Sequence, residues 1–315
     1  MIAGFVEARR ELERGDRSLR DKLTPAAAAI RLVSSGDHVA VGGCLYSRTP
    51  MALLLELLRQ GQDKLSLSRC LTCYEGELFL ASGASRHIIT SWMGFGAPWG
   101  TSRILRQMVE ADEAVFEEWS HLGIGMRYRA GAMGVPFLPM LSMLGSDLAE
   151  QTDVREMNCP FTGERLALVP ALFPDVALIH VHRADRYGNA QIEGYRHMDT
   201  DVARAARTVI LSAEEIVEPE RIQRNPGATV IPHFAVDAVV EAPMGSYPHE
   251  CYGLYDADFD HFDNYAKQVR EGGVEGVRAY LEANVTGLNS FDDFLNQFPL
   301  AVALRQRRKG QELVS

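Results

Sequence analysis

Residues 36–61 read GDHVAVGGCLYSRTPMALLLELLRQG, and this stretch decides the fold. Residues 38–41 favour a short buried strand, and Gly42-Gly43 end it with a turn that β-carbons would obstruct. After a loop, a helix is predicted to begin at Pro50 and to end at Gly61. Leucines cover most faces of this helix, so we expect it to lie buried against a sheet.

The same stretch predicts a small anion site. A strand end, two glycines and a helix N-terminus direct backbone N–H groups toward one small volume, where a carboxylate or a developing oxyanion could sit. Many α/β proteins have a glycine turn at this point for packing alone, so packing is the alternative explanation of Gly42 and Gly43.

Strand and helix signals alternate along the rest of the chain. Strands are predicted at residues 65–72, 86–92, 116–120, 176–182, 209–212 and 235–241. Helices are predicted at residues 25–35, 78–84, 102–110, 121–133 and 200–207. The alternation predicts an α/β fold, an open and mostly parallel sheet with helices on both faces. Residues 94–101 are expected to form a glycine-rich loop, and residues 144–165 an irregular, exposed segment.

Three segments of different composition divide the chain. Residues 1–24 are predicted to form a charged N-terminal arm, residues 25–265 a single α/β domain, and residues 266–315 a C-terminal helical tail. The prolines and glycines of residues 134–165 are interpreted as a loop within the domain and not as a boundary.

Composition excludes several classes of partner. The 315 residues carry a formal charge of −10 and give a pI near 5.4, which argues against a nucleic-acid or anionic-membrane surface. No apolar run is long enough to span a bilayer, and the N-terminus lacks the core of a signal peptide. Five scattered cysteines are then expected to be reduced thiols in a cytoplasmic protein.

Two groups of residues have the spacing of a metal site. Cys70 and Cys73 form a CxxC pair, which could be half of a zinc site or a redox pair, but no second CxxC exists. His180 and His182 point to one face of a strand and could bind a metal together with Asp185. Buried structural cysteines and hydrogen-bonded histidines are favoured, so we expect no metal site.

Motifs of other enzyme classes are absent from the sequence, among them GxSxG, the GxxxxGK phosphate loop, HExxH and GxGxxG after a strand. Glu75 and Glu77 follow a predicted strand in a turn, where a carboxylate could be placed beside a ligand. Arg48 precedes the Pro50 helix and is suited to binding a carboxylate or phosphate through two hydrogen bonds. The alternatives are solvated glutamates and a surface arginine.

Several blocks together resemble the α subunit of the glutaconate CoA-transferase type, within the family I CoA-transferases. In order they are GDHVAVGG with SRTP, VPFLP with LGSDL, HVHRADRYGNAQI, DVARAARTVILSAEEIV and VDAVVEAPMGSYPHECYGLYDAD. The resemblance covers roughly residues 25–265, and five separated blocks in order are more specific than any single motif. Cys44 departs from the signature, which usually has Phe at that position.

The resemblance implies that the partner is a homologous β subunit, in an α2β2 assembly, and that the reaction is of the ping-pong type. A glutamate from the β subunit would attack an acyl-CoA, CoA would be held as an enzyme thioester, and a second carboxylate would accept it. That glutamate lies in a Ser-Glu-Asn-Gly type stretch, which this chain lacks. Coenzyme A enters as acyl-CoA substrate, with no permanently bound cofactor. The residues expected to form the wall of the cleft are Gly42, Gly43, Ser47, Arg48, Tyr74, Glu75 and Gly76.

Two other functions remain open on the same scaffold. A ring-cleaving CoA-thioester hydrolase of steroid degradation resembles this chain in its GG loop, PFLP and VDAIVEAP-like blocks. That relative uses an acid or base at the start of the helix before PFLP, which corresponds to His121 here, and a histidine there suits proton transfer near neutral pH. Glu75 is a second candidate proton carrier. The last alternative is a non-catalytic, partner-binding subunit.

Overall fold

The computed structural model describes residues 3–314, so the first two residues of the predicted arm and the last residue of the predicted tail lie outside the described residues. The helices are α1 Ala3–Arg14, α2 Ala26–Ile30, α3 Met51–Gln60, α4 Tyr74–Ser82, α5 Arg103–Glu110, α6 His121–Met133, α7 Asp147–Gln151, α8 Asp199–Ala205, α9 Pro219–Gln223, α10 Phe259–Leu281, α11 Phe291–Leu295 and α12 Leu300–Glu312. The strands are β1 His38–Val41, β2 Leu65–Ser68, β3 Ser85–Thr90, β4 Gly94–Gly96, β5 Gly100–Thr101, β6 Val115–Glu118, β7 Phe137–Met140, β8 Arg155–Asn158, β9 Arg165–Pro170, β10 Val176–Asp185, β11 Ala190–Gln191, β12 Thr208–Val217, β13 Thr229–Ile231 and β14 Ala238–Glu241.

A mostly parallel sheet forms the centre of the molecule. Its parallel strands follow the order β14-β12-β10-β1-β2-β3-β6, and β11 and β13 extend it as antiparallel strands beside the end of β10. From β1 the chain builds outward to β6 on one side, and it later builds from β10 to β14 on the other. The strand order therefore switches between β1 and β10, and in open α/β sheets ligands bind at such a switch, outside the carboxyl ends of the strands.

Apolar side chains on both faces of the sheet explain why helices cover both. Val39 and Val41 of β1 pack into one core together with leucines of α3 and α4, whereas Ala40 between them packs into a second core with residues of α6 and α8. Alternate residues of a strand point to opposite faces, so a strand buried on both sides needs apolar residues throughout. The predicted fold class is confirmed.

The helix predicted after the glycine turn is α3, and every residue from Met51 to Leu58 is buried. It ends as predicted, because Gly61 has a φ of +74° in the left-handed region that glycine tolerates. Its start differs by one position: Pro50 is the N-cap and Met51 the first helical residue. The helix predicted to run to residue 35 is the much shorter α2.

Two predicted irregular segments are regular in the structure. Residues 94–101 form the antiparallel pair β4-β5. Residues 144–165 contain α7 and β8, and β8 pairs with β9, which pairs with β7 in a small antiparallel sheet. All four side chains of β8 are exposed, so the strand has no apolar alternation for sequence reasoning to detect. Its pairing with β9 alone stabilises it.

The predicted C-terminal helical tail contains most of α10, together with α11 and α12, in the described part of the chain. The first, α10, packs on α4 and α5 and bends at Gly273, which has a φ of +56°. The boundary predicted at residue 265 falls inside α10. Among the described helices, none combines the length with the apolar character that crossing a bilayer requires.

Two glycines of α6 give a stability prediction. A Cβ at Gly131 would lie 2.2 Å from the Leu172 carbonyl oxygen, a backbone atom that cannot move freely. A Cβ at Gly125 would meet only the end of the flexible Met198 side chain. We expect Gly131→Ala to lower the free energy of unfolding by about 1–3 kcal/mol through overpacking. Gly125→Ala is the matched control, with a change between zero and a gain of about 1 kcal/mol from helix propensity. Urea denaturation measures both, and equal effects would contradict the prediction.

Candidate functional site

The turn after β1 requires glycine at position 43. Gly43 has a φ of +68°, and a Cβ there would lie 2.1 Å from the Ser47 carbonyl oxygen. That oxygen accepts a hydrogen bond from the Cys44 N–H at 2.9 Å, and the Ser47 N–H donates back to Cys44 at 2.8 Å. A side chain at position 43 would therefore disrupt the turn itself, and the packing explanation accounts for this glycine.

The anion site predicted from free N–H groups is not formed, because these groups already have partners within the chain. The Gly42 N–H donates to a carbonyl oxygen of β10 at 2.8 Å, and the Gly43 N–H donates to Asp199 Oδ1 at 2.7 Å. At the start of α3, the Ala52 N–H donates to the Gly245 carbonyl oxygen at 2.9 Å. The prediction of a cradle of unused donors is wrong for this turn.

Arg48 lies behind the turn, with its side chain fully buried, so the surface alternative is wrong. Its Nη1 donates to Asp199 Oδ2 at 2.5 Å and to the His180 carbonyl oxygen at 3.0 Å, and its Nη2 donates to the Tyr195 carbonyl oxygen at 2.7 Å. Asp199 thus joins the backbone of Gly43 to the guanidinium of Arg48. These internal partners occupy both Nη atoms. Binding of an acid substrate by Arg48 stays a prediction.

A second buried arginine, Arg69, binds the same turn from the side of β2. Its Nε donates to the Gly42 carbonyl oxygen at 3.1 Å, and its Nη2 donates to Thr49 Oγ1 at 2.9 Å and to the Ser47 carbonyl oxygen at 3.4 Å. Its Nη1 donates to Glu75 Oε1 at 2.6 Å, and both side chains of this ion pair are 1% exposed. The turn is therefore fixed by a buried cation that is itself fixed by a buried carboxylate.

Tyr74, Glu75 and Gly76 form the first turn of α4, and not the turn predicted between strand and helix. All three are buried. The Tyr74 hydroxyl lies 2.5 Å from the Tyr280 hydroxyl, and a Cβ at Gly76 would lie 2.5 Å from a methyl group of Thr72. The bond between Glu75 and Arg69 connects them to the glycine turn. Their role in lining a pocket stays a prediction.

Burial shifts the pKa of two further ionisable groups in and beside α4. His249 Nε2 lies 3.7 Å from Glu75 Oε2, and burial lowers the pKa of this histidine well below its usual range, so the imidazole is neutral. Burial raises the pKa of Glu77 to about 7, although the Ser102 hydroxyl donates to Glu77 Oε1 at 2.5 Å. Glu77 is 1% exposed and not the solvated glutamate of the alternative.

Three side chains on the accessible side of the turn form its rim: Cys44, His197 and Glu250. Cys44 and Glu250 are half-buried, and His197 is exposed. The backbone of Glu250 fixes this side, because its N–H donates to the Tyr46 carbonyl oxygen at 2.7 Å and its carbonyl oxygen accepts from the Arg48 N–H at 2.9 Å. Burial raises the pKa of the Glu250 carboxyl, and a hydrogen bond with Ser47 opposes that rise.

His121 is the first residue of α6. The helix is capped by Ser120, whose side chain accepts a hydrogen bond from the Gly123 N–H at 2.9 Å. His121 is exposed, and its Nδ1 lies 3.3 Å from Ser91 Oγ, whose hydroxyl donates to the Cys70 carbonyl oxygen at 2.5 Å. Cys70 in turn contacts the glycine turn, so His121 shares the carboxyl edge of the sheet with it.

The histidines of β10 are hydrogen-bonded, as favoured from the sequence. His180 contacts a serine hydroxyl of β12 at 2.9 Å and the Glu214 carboxylate at 2.8 Å, and His182 Nε2 lies 2.8 Å from a backbone carbonyl oxygen. Asp185 accepts backbone N–H groups of its own turn instead of joining them. The ligand atoms of His180, Glu214 and Cys251 lie within 4.8 Å of one another, and the two hydrogen bonds of His180 use both its ring nitrogens.

Arg69, Asp199 and Glu250 are the site residues that sequence reasoning missed. Arg69 had a visible signal, since it is the charged residue in an otherwise uncharged predicted strand. Asp199 directly precedes the helix predicted at residues 200–207, whereas in the structure Met198 is the N-cap and the Asp199 carboxylate points back to the glycine turn. Glu250 had no local signal, because the contact depends on residues about 200 positions apart in the chain.

The pKa of Glu77 gives a pH prediction. Between about pH 4.3 and pH 7 the folded chain retains a proton that the unfolded chain has released, so this carboxyl supports folding at low pH and opposes it increasingly up to pH 7. We expect the free energy of unfolding of Glu77→Gln, relative to the unsubstituted chain, to rise by roughly 2–3 kcal/mol from pH 5 to pH 8. Urea denaturation at both pH values measures it, with Glu118→Gln as the exposed control. A pH-independent difference would contradict it.

The pair of Arg48 and Asp199 gives a second prediction. Asp199→Ala leaves a buried guanidinium without its carboxylate, and we expect the free energy of unfolding to fall by about 3–5 kcal/mol. The double variant Arg48→Met/Asp199→Leu removes both charges and should lose less than the sum of Arg48→Met and Asp199→Leu measured separately. Denaturant unfolding of these chains measures the coupling. Strict additivity would show that the two side chains do not stabilise one another.

Comparison with known proteins identifies the family. The sequence profile named Coenzyme A transferase matches residues 23–242. The A subunit of glutaconate CoA-transferase from Acidaminococcus fermentans is 34% identical over 292 residues, 87% of this chain and 91% of that protein. The chain also spans 66% of the length of an uncharacterized protein of Archaeoglobus fulgidus, at 36% identity over 94% of this chain.

A third relative and a solved structure agree with this family. The cholesterol ring-cleaving hydrolase IpdA subunit of Rhodococcus jostii is 28% identical, over 85% of this chain and 94% of that protein. The crystal structure of glutaconate coenzyme A-transferase from Acidaminococcus fermentans superposes with a TM-score of 0.87 at 32% identity, over 91% of this chain and 95% of that one. Profile, sequence and fold agree, and the chain belongs to the coenzyme A transferase family.

Proposed function

We propose that this chain is the α subunit of a heteromeric CoA-transferase that moves CoA from an acyl-CoA to a carboxylic acid. The observation that carries the proposal is the similarity to the A subunit of glutaconate CoA-transferase, which extends over 91% of that protein and includes its fold. The partner is a homologous β subunit, in an α2β2 assembly in the cytoplasm. Neither nucleic acid nor membrane takes part.

The reaction proceeds in two halves. A glutamate from the β subunit first attacks the acyl-CoA, CoA is retained as a glutamyl thioester, and the first carboxylic acid leaves. A second carboxylate then accepts CoA and releases the glutamate. Such an attack requires a desolvated carboxylate and donors for the tetrahedral oxyanion, and a cleft between two subunits supplies a dry environment.

The state of the carboxylates near the glycine turn supports the proposal that the nucleophile comes from another chain. Glu75 and Asp199 are each 1% exposed and each form an ion pair with a buried arginine, so neither is free to attack a thioester. Glu250 is the accessible acid, and a hydrogen bond with Ser47 restrains its carboxyl. The Ser-Glu-Asn-Gly type stretch of the β subunit is missing from the sequence.

The share of this chain is one wall of the cleft, at the switch point between β1 and β10. Gly42 and Gly43 approach the reacting carbonyl with their backbone, and Ser47 faces the acid substrate. Arg48, together with the first turn of α4 (Tyr74, Glu75 and Gly76), supports that wall from behind through the contacts of Asp199 and Arg69. CoA enters only as the acyl-CoA substrate.

The proposal predicts that activity requires both subunits. The chain and its β partner are purified together, incubated with acyl-CoA and treated with borohydride, which should reduce the glutamyl thioester and mark a glutamate of the β subunit in a peptide map. The α chain alone is the control and should transfer no CoA. Transfer at the full rate by the α chain alone would contradict the proposal.

A second candidate function is hydrolysis or C–C bond cleavage of a CoA thioester, as in the relative named a ring-cleaving hydrolase. The observation that favours it is His121, an exposed imidazole at the carboxyl edge of the sheet and in contact with Ser91. The same two-subunit preparation distinguishes the functions. Hydrolysis would release CoA without an acceptor acid, and His121→Asn would slow it about 10²–10⁴-fold, the range of a general acid or base. Transfer requires the acceptor and should survive that substitution.

A further inference from the structure

Cys44 and Cys70 come together beside the glycine turn although they lie in different segments. The register of β1 and β2 pairs Ala40 with Ser68, so the two segments remain neighbours where they leave the sheet. The Leu45 N–H then donates to the Leu71 carbonyl oxygen at 3.1 Å. The residues directly before this bond on each segment are Cys44 and Cys70.

Both thiols lie beside the glycine turn. Cys70 Sγ lies 3.9 Å from the carbonyl oxygen of Gly43, the residue directly before Cys44. Cys44 is half-buried, whereas Cys70 is 3% exposed. One thiol is therefore open to small solutes, and its neighbour is shielded directly behind it.

The surroundings make Cys44 the reactive member of the pair. The hydrogen bond from Cys70 lowers the pKa of the Cys44 thiol, and a hydrogen bond from His197 and the charge of Arg69 lower it further against the effect of burial. The pKa of Cys70 is raised, first by the same hydrogen bond and then by burial. A low-pKa, accessible cysteine beside a second thiol is the arrangement found in redox-sensing proteins.

We propose that Cys44 and Cys70 form a reversible disulfide when the protein meets a hydroperoxide. The Cys44 thiolate attacks the O–O bond of the peroxide, which leaves a sulfenic acid on Cys44 and releases water or an alcohol. Cys70 sulfur then attacks the Cys44 sulfur, the S–S bond forms, and the sulfenic oxygen leaves as water. Two electrons and two protons pass from the two thiols to the peroxide.

The bond ties the turn of residues 44–47 to the end of β2. Ser47 and the rim residue Cys44 both belong to that turn, so oxidation changes the wall of the candidate site directly. The sequence suggested that Cys70 and Cys73 could form a redox pair. In this proposal Cys70 reacts with Cys44 and not with Cys73. Cys73 is fully buried at the N-cap of α4, where a peroxide does not reach it.

Peptide mapping of the full chain tests the proposal without any activity assay, so its outcome is independent of the proposed function. The reduced protein is treated with hydrogen peroxide, blocked with N-ethylmaleimide and digested with trypsin without reductant. Trypsin places Cys44 in peptide 32–48 and Cys70 in peptide 70–86. We expect these peptides to be linked, with the bond assigned to Cys70 by fragmentation. The thiol count of the denatured chain should fall from the five cysteines to three and return with dithiothreitol.

Three variants test which cysteines form the bond. Cys44→Ser should abolish the link, and Cys70→Ser should leave a sulfenic acid on Cys44 that dimedone labels, because no second thiol remains to react with it. Cys73→Ala is the matched control on the same peptide and should retain the link. An unchanged thiol count after peroxide, a link to Cys73, or oxidation of Cys44 to the sulfinic acid without a link would overturn the proposal.

Discussion

The buried ion pair of Arg69 and Glu75 is the interaction on which the site depends. A guanidinium with 1% exposure would be costly without a carboxylate partner, and Glu75 supplies that partner at 2.6 Å. The remaining donors of Arg69 then bind carbonyl oxygens of the glycine turn, among them those of Gly42 and Ser47. The turn lies between a strand and a helix, where a buried carbonyl oxygen such as that of Gly42 needs a donor from elsewhere in the fold, and Arg69 supplies it.

A second ion pair supports the turn from the opposite side, and the two differ in what they bind. The Asp199 carboxylate accepts a hydrogen bond from the Gly43 N–H and forms an ion pair with Arg48. Arg69, in contrast, donates to backbone carbonyl oxygens of the turn. Donors and acceptors of one short turn are thus both satisfied by buried charges of opposite sign. This arrangement fixes the backbone that faces the cleft but uses the groups that could have bound an anion directly.

The fold was accessible from the sequence because its signals are local. The apolar strand before Gly42, the leucines of α3 and the left-handed glycine at position 61 each act within a few residues. The small sheet of β7, β8 and β9 was missed because β8 is exposed on all four side chains and depends on a distant strand. Site residues divide in the same way: Gly42 and Gly43 follow from a local motif, while Asp199 contacts Gly43 across 156 positions.

The burial of both arginines shows why residue type alone does not identify the partner of an arginine. An arginine before a helix is suited to a substrate carboxylate. A carboxylate of the same chain competes with that substrate, and it loses no translational or rotational freedom of a separate molecule when it binds the arginine. Asp199 is that carboxylate for Arg48, as Glu75 is for Arg69. Among the described residues near the turn, those with no such internal ion pair are Cys44, His197 and Glu250 on the rim and His121 at the same edge of the sheet, and these side chains are left for an incoming molecule. Chemistry contributed by this chain is therefore expected at its accessible edge, and its buried charges act by holding that edge in one conformation.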